Sequence, residues 1–166
     1  TTLAAYSFSR FRFRSRNSLL QAILLIQVFP NFLNMVALFL ILQQFGLYIP
    51  ALGLNTYGGL MLIYLGMSVP KMSFLYYGYV KSIPWELEEA AHIDGAGLVT
   101  IFWRIVYPLL KPMTVTVIIL QGLWIWNDFM IPLIIVNRRA AFWTLPLFQY
   151  IFRGQYDIQY NLIFTT

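Results

Sequence analysis

Residues 82–112 read SIPWELEEAAHIDGAGLVTIFWRIVYPLLKP and hold four of the six acidic residues, the single histidine and a Gly-Ala-Gly turn. The sequence on either side is strongly apolar. A polar segment between apolar ones has to lie in water, among headgroups or in a partner's groove, because hydrocarbon does not satisfy polar groups. The flanks therefore decide the fold, and what this segment meets decides the function.

Over the 166 residues, 60% are hydrophobic, 18% aromatic and only 10% charged, with a mean hydropathy of +0.69. These values lie far outside the soluble globular range and point to an integral membrane protein, and the apolar spans read below make the expected fold an all-α, polytopic helical bundle. There is no cysteine, so neither a disulfide framework nor a thiolate metal site or nucleophile is expected. The net charge of +5 is confined to a few loops, which fits cationic cytoplasmic loops better than nucleic-acid binding. The chain opens on TTLAAYSF and closes on NLIFTT. Both ends read as cut, which predicts a fragment whose first residues finish one transmembrane helix and whose last begin another, with the N-terminal helix or helices and most of the last helix missing.

Residues 10–16, RFRFRSR, alternate four arginines with two phenylalanines. A nucleic-acid strip would share this pattern, but beside hydrophobic segments it reads as a cytoplasmic anchor under the positive-inside rule. No charge occurs from Asn17 to Pro70. That is too long for one crossing of about 20 residues, so two spans are expected, at 18–45 and 56–80. The break between them falls at residues 46–55, where glycine, Pro50 and Asn55 disfavour a continuous helix. Pro30, Asn31 and Asn34 are expected to bend or interrupt the first span, either as a packing kink or as a polar lining of a pathway. Lys71 lies about 15 Å before Lys81 along a helix, either buried against a bundle partner or snorkelling. A third span is expected at 113–136, with Asp128 its only charge, followed by an external loop over 137–157 carrying Arg138, Arg139 and Arg153. With no internal repeat or long linker, residues 1–166 read as a single transmembrane domain around a cytoplasmic segment, 82–112.

Within that segment, Ser82 and Pro84 are expected to start a helix, with Glu86, Glu88 and Glu89 in its first turns, where carboxylates complement the helix dipole. Leu87, Ala90, Ala91 and Asp94 recur at helical spacing and give a small-residue face that permits close approach to another surface. Gly95 and Gly97 then break the helix, since glycine readily takes the positive φ of a C-terminal cap. A second helix is expected with an apolar stripe of Leu98, Ile101, Phe102, Ile105 and Leu109, ended or kinked by Pro108 and Pro112. His92 has no Cys or second His beside it, which favours a surface role over metal binding or general-base work. No catalytic constellation is visible, and no metal site is expected.

The spacing Glu89-Ala90-Ala91, Gly95, Ile105 and Pro108 resembles the EAA loop of ABC importer permeases, with Tyr107 where Leu is usual. The longer run through WIWNDFMIPL resembles the sugar-importer branch, the second permease of maltose-type systems, and the likeness covers nearly the whole chain. It implies a coupling helix that docks in a cleft of a cytoplasmic ATPase subunit, with Glu89, Ala90, Ala91 and Gly95 at the contact. Glu86, Glu88, Asp94 and Gly97 belong to the same docking segment. The resemblance also implies a second permease, two ATPase subunits, an extracytoplasmic solute-binding protein and a multi-pass location in a bacterial or archaeal cell membrane. No phosphate-cradling G-x-x-x-x-G-K-[ST] motif occurs. No cofactor is therefore expected on this chain, and ATP and Mg belong to the partner ATPase.

Trp124, Trp126, Asn127 and Asp128 offer the aromatic faces and polar edges that suit a sugar, about 24 Å beyond Pro112 along a helix. An interfacial aromatic belt with a helix-packing Asp would look the same. Asn31 and Asn34 are further pathway candidates. The functional expectation is an ATP-driven sugar or oligosaccharide importer permease working by alternating access. An ABC importer for another organic solute is the alternative. An ion-coupled carrier has only Asp128 and Lys71 to bind its ion, and a membrane enzyme has no catalytic group.

Overall fold

The computed structural model describes residues 1–28, 31–136, 141 and 143–150, with Asn31 and Phe32 as backbone only. Pro30 and the arginines 138, 139 and 153 lie outside the described residues. Helices are α1 (Thr2–Arg10), α2 (Arg16–Val28), α3 (Met35–Tyr48), α4 (Tyr57–Ser82), α5 (Glu86–Ile93), α6 (Leu98–Ile101), α7 (Tyr107–Leu109), α8 (Lys111–Asn127), α9 (Met130–Ile135) and α10 (Leu145–Tyr150). The fold is all-α, and no strand occurs among the described residues. Two compact units form, one from residues 1–29 and 67–121, the other from 30–66 and 122–166.

The apolar run expected as a first span is divided. α2 ends at Val28, a 3₁₀ turn covers Asn31–Asn34, and α3 follows. Of the span expected at 56–80, residues 57–80 fall in α4, which runs without interruption through Pro70 and is the helix among the described residues long and apolar enough to cross a membrane. Residues 113–136 do not form one helix, because the chain breaks at Asp128 and Phe129 between α8 and α9. Within the stretch expected as an external loop, Leu145–Tyr150 is helical. Lys71 is exposed on α4 and so is not buried within this chain.

In the first unit, Ala5 and Tyr6 of α1 pack with Met72, Tyr76 and Val80 of α4 and with Ile101, Phe102, Val106 and Leu110. The Tyr76 hydroxyl donates to Thr114 Oγ1 at 3.0 Å, and Thr114 donates to the Leu110 carbonyl at 2.9 Å, so the polar tips inside this core are paired. The basic loop is partly structural. Arg16 donates from Nε to the Phe8 carbonyl at 2.7 Å, while Arg12 and Arg14 are exposed.

The arm after α5 departs from the expected stripe. A π-helical turn covers Phe102–Val106, closed by the Tyr107 amide donating to the Phe102 carbonyl. It sits directly before Pro108, which has no N–H for the Arg104 carbonyl, so the regular ladder is already broken there. One extra residue in the turn shifts everything after it. Ile101 and Phe102 are buried as expected, but burial then passes to Val106 and Leu110, and Leu109 is exposed. Pro112 lies in the first turn of α8, where proline is tolerated. The arm Leu98–Leu109 meets α8 at a bend of 61°.

In the second unit the break between α3 and α4 is a close backbone approach. A Cβ on Gly53 would lie 2.6 Å from Gly46 Cα, so glycine is required at that position. Asn55 takes a φ of 57°, the left-handed region that Asn tolerates better than most residues, and its amide donates to the Ile135 carbonyl at 2.9 Å. Thr56 Oγ1 donates to the Gly53 carbonyl at 2.7 Å and accepts the Gly59 amide at 3.0 Å. Leu42 of α3 and Ile131, Pro132 and Ile135 of α9 supply buried apolar surface.

Candidate functional site

The acidic helix does not start where Ser82 and Pro84 led us to expect. Ser82 is the last residue of α4 and its hydroxyl donates back to the Tyr79 carbonyl at 2.8 Å. The residue preceding α5 is Trp85, whose indole N–H donates to Glu89 Oε1 at 2.7 Å. A buried Ile83 separates the two helices and anchors the corner apolarly.

The far end of α5 matches the glycine expectation. Gly95 has a φ of +84°. Its amide donates to the His92 carbonyl at 3.0 Å, and the Ala96 amide donates to the Ala91 carbonyl at 2.9 Å. This is the Schellman pairing, and Ala91 and Ala96 both pack against the first unit's core. Gly97 has ordinary extended backbone before α6.

These constraints divide the helix into two sides. Glu86, Leu87, Glu89, Ala90, His92, Ile93 and Asp94 are exposed, Ile93 at 86%. Ala91 is half-buried and Glu88 is 4% exposed. The expected small-residue face is therefore split, with Ala90 outward and Ala91 inward. Glu88 is likewise corrected from a docking contact to an internal one. Its Oε1 accepts from Arg10 Nε at 2.6 Å and its Oε2 from the Tyr6 hydroxyl at 2.8 Å. A second Arg10 nitrogen donates to the Ile83 carbonyl at 2.8 Å, and the guanidinium lies 5.1 Å from the centre of the Trp85 ring. Beside this pair, Phe11, Trp85, His92, Ile93 and Leu98 line an open groove of about 460 Å³. His92 is outside any metal-binding cluster among the described residues. Its Nδ1 lies 3.4 Å from the Ala96 carbonyl.

The second candidate cluster is partly assembled, in the second unit. Asp128 sits in the break after α8 and accepts the Tyr64 hydroxyl of α4 at 2.8 Å. Trp124 meets the Tyr64 ring edge to face at 5.7 Å. Trp126 is 65% exposed, and Asn127 turns back to donate to the Leu123 carbonyl at 2.7 Å. Asn34 is half-buried before α3 without a side-chain cap bond, and the Asn31 side chain is outside the described residues. Sequence reasoning missed Tyr64, whose only signal was a phenol within an apolar span. Tyr64→Phe is expected to lower the stability of the purified protein by about 1 kcal/mol, because Asp128 loses a donor. The check is the shift of its thermal unfolding midpoint, which Trp126→Phe leaves in place.

Residues 1–165 match the family described as binding-protein-dependent transport system inner membrane component. Over 166 residues the chain is 41% identical to the multiple sugar-binding transport system permease protein MsmG of Streptococcus mutans, covering 98% of this chain and 57% of that protein. It is 45% identical over 107 residues to the probable starch degradation products transport system permease protein AmyC of Thermoanaerobacterium thermosulfurigenes, covering 64% of this chain and 39% of the relative. To the galactooligosaccharides transport system permease protein GanQ of Bacillus subtilis it is 38% identical over 146 residues, which is 88% of this chain and 49% of the relative. The chain thus spans about half the length of the curated relatives it matches. With a match along its whole length, the chain belongs to the family of binding-protein-dependent transport system inner membrane components.

Proposed function

We propose that this chain is the pathway-forming part of a permease subunit in an ATP-driven importer of a sugar or oligosaccharide, in a bacterial or archaeal cell membrane. α4 crosses the bilayer, as do the apolar segments before and after it, and α5 docks on a cytoplasmic ATPase subunit. The observation that carries this reading is α5 itself. An eight-residue helix is pinned at both ends and on one side, and the other side presents Glu86, Glu89, Ala90, Ile93 and Asp94 to the surroundings. Small and acidic residues held out on a rigid short helix suit insertion into a cleft. In this reading Glu88, Ala91 and Gly95 shape and hold the helix and do not make the contact, while Gly97 starts the arm.

ATP and Mg are bound by the partner ATPase, since this chain lacks a phosphate cradle. A second permease, a second ATPase and an extracytoplasmic binding protein complete the assembly. Closure of the ATPases moves α5, and the bent arm passes the movement into α8, switching the pathway between its two openings. Driving such an equilibrium from one side to the other takes about 5.5 kcal/mol of differential binding, which two permeases docking together would share. The solute class is supported by the sugar and oligosaccharide systems for which the relatives are named, and the Tyr64, Trp124 and Asp128 cluster offers a stacking face and a carboxylate suited to a sugar.

The test is sidedness. With no cysteine in these 166 residues, Ile93→Cys provides one thiol within them, at an 86% exposed position of α5. A membrane-impermeant maleimide is expected to label it only after cells are permeabilised. Labelling in intact cells would place α5 outside and end the ATPase reading.

A further inference from the structure

We infer that Arg10, Glu88 and Tyr6 form a clasp that makes α5 move with α1 as one rigid body, so that α1 is a second route for movement besides the arm. The inference rests on the docking role proposed for α5. Its basis is the closed set of bonds around Glu88. Both carboxylate oxygens are taken, by Arg10 Nε at 2.6 Å and by the Tyr6 hydroxyl at 2.8 Å. Arg10 also holds the Ile83 carbonyl at 2.8 Å, which fixes the corner between α4 and α5. The paired side chains retain only 9% and 5% of their exposure.

A buried ion pair contributes little net stability, but pulling it apart leaves an unpaired charge out of water, so the pair resists opening far more than it stabilises. Its bonds are charge-assisted and therefore directional as well. Glu86 and Glu89 have no such tie to α1. Of the three glutamates, Glu88 is the one tied to α1, while Glu86 and Glu89 stay exposed. Bending during a transport cycle is then confined to places without such ties, chiefly the bend before α8.

The experiment uses the assembled transporter in proteoliposomes, in a cysteine-free background, and reads solute transported per ATP hydrolysed. Arg10→Cys combined with Glu88→Cys removes the clasp and is expected to lower that ratio about tenfold, the scale of a lost coupling between sites. Bridging the two thiols with a short reducible reagent is expected to restore the ratio, and reduction to lower it again. A purely structural role would change the yield of complex and leave the ratio alone. A wild-type ratio in the unlinked double variant overturns the inference, as does a ratio that stays low after bridging. If the double variant does not assemble, Tyr6→Phe is read in the same way. It keeps the ion pair and loses one hydrogen bond, with a fall of about fivefold expected and no fall overturning the inference. Failure of the clasp with an ATP-driven wild type leaves the transport reading standing. A wild type without ATP-driven uptake removes that reading and the clasp with it.

Discussion

Ala90→Trp is expected to abolish uptake, with a fall of about 100-fold, the upper end of coupling between two sites, and to prevent the ATPase from co-purifying with the permease. Ala90 is exposed on the outward side of α5, so an indole there projects away from the first unit's core. The helix-propensity cost of the change is under about 1 kcal/mol, too little to unfold the unit. The loss therefore has to arise where a partner surface approaches α5 closely. The check is ATP-driven uptake together with the ATPase content of the purified complex, at matched permease expression. Normal uptake with the ATPase bound would remove Ala90 from the contact. Gly95→Val acts by another path. A β-branched residue at a φ of +84° is strained by about 1–2 kcal/mol, which loosens the Schellman turn and lets the end of α5 swing from its position.

The second large effect separates neighbouring residues on the arm. Val106→Asp is expected to prevent accumulation of folded protein, because Val106 is fully buried against α1 and α4 and a carboxylate there has no partner, a cost of several kcal/mol. Leu109→Asp is expected to leave expression near wild type, since Leu109 is 40% exposed. A regular helix would predict the reverse order of importance, with Ile105 and Leu109 facing inward. Fluorescence-detected size-exclusion profiles of the two variants decide between the registers. Equal damage from both would argue against the π turn.

That contrast shows where the sequence was readable and where it was not. Helix period and glycine chemistry are local, and they located the acidic helix, its end at Gly95 and the break before α4 with one residue type at a time. The register of the arm was not local in the same way. Counting at 3.6 residues per turn assumes an unbroken ladder, and Pro108 breaks it one turn downstream of the residues being counted. Ser82 was misplaced for a related reason. Serine and proline suit a helix start in general, but here α4 continues to Ser82, and the buried Ile83 sets the corner. Glu88 was beyond reach of any window, because its partner Arg10 lies 78 positions upstream. A charged residue between two exposed ones reads as exposed unless the fold brings it a counter-charge. The sugar candidates divided in the same manner. Trp124 and Asp128 are drawn together by Tyr64 on another helix, while Trp126 and Asn127, adjacent in sequence, point to other surroundings.

The chain belongs to a family of transport system inner membrane components, and the structure gives α5 an outward side on which Ile93 is 86% exposed. A photoreactive amino acid in place of Ile93, activated in the full transporter after its purification and reconstitution, reports directly on what that side touches. Cross-linking to the ATP-binding subunit, reduced when the nucleotide state is changed, is the predicted result. Cross-linking to lipid or to membrane subunits alone, in a complex that still hydrolyses ATP and transports, would contradict the docking of α5.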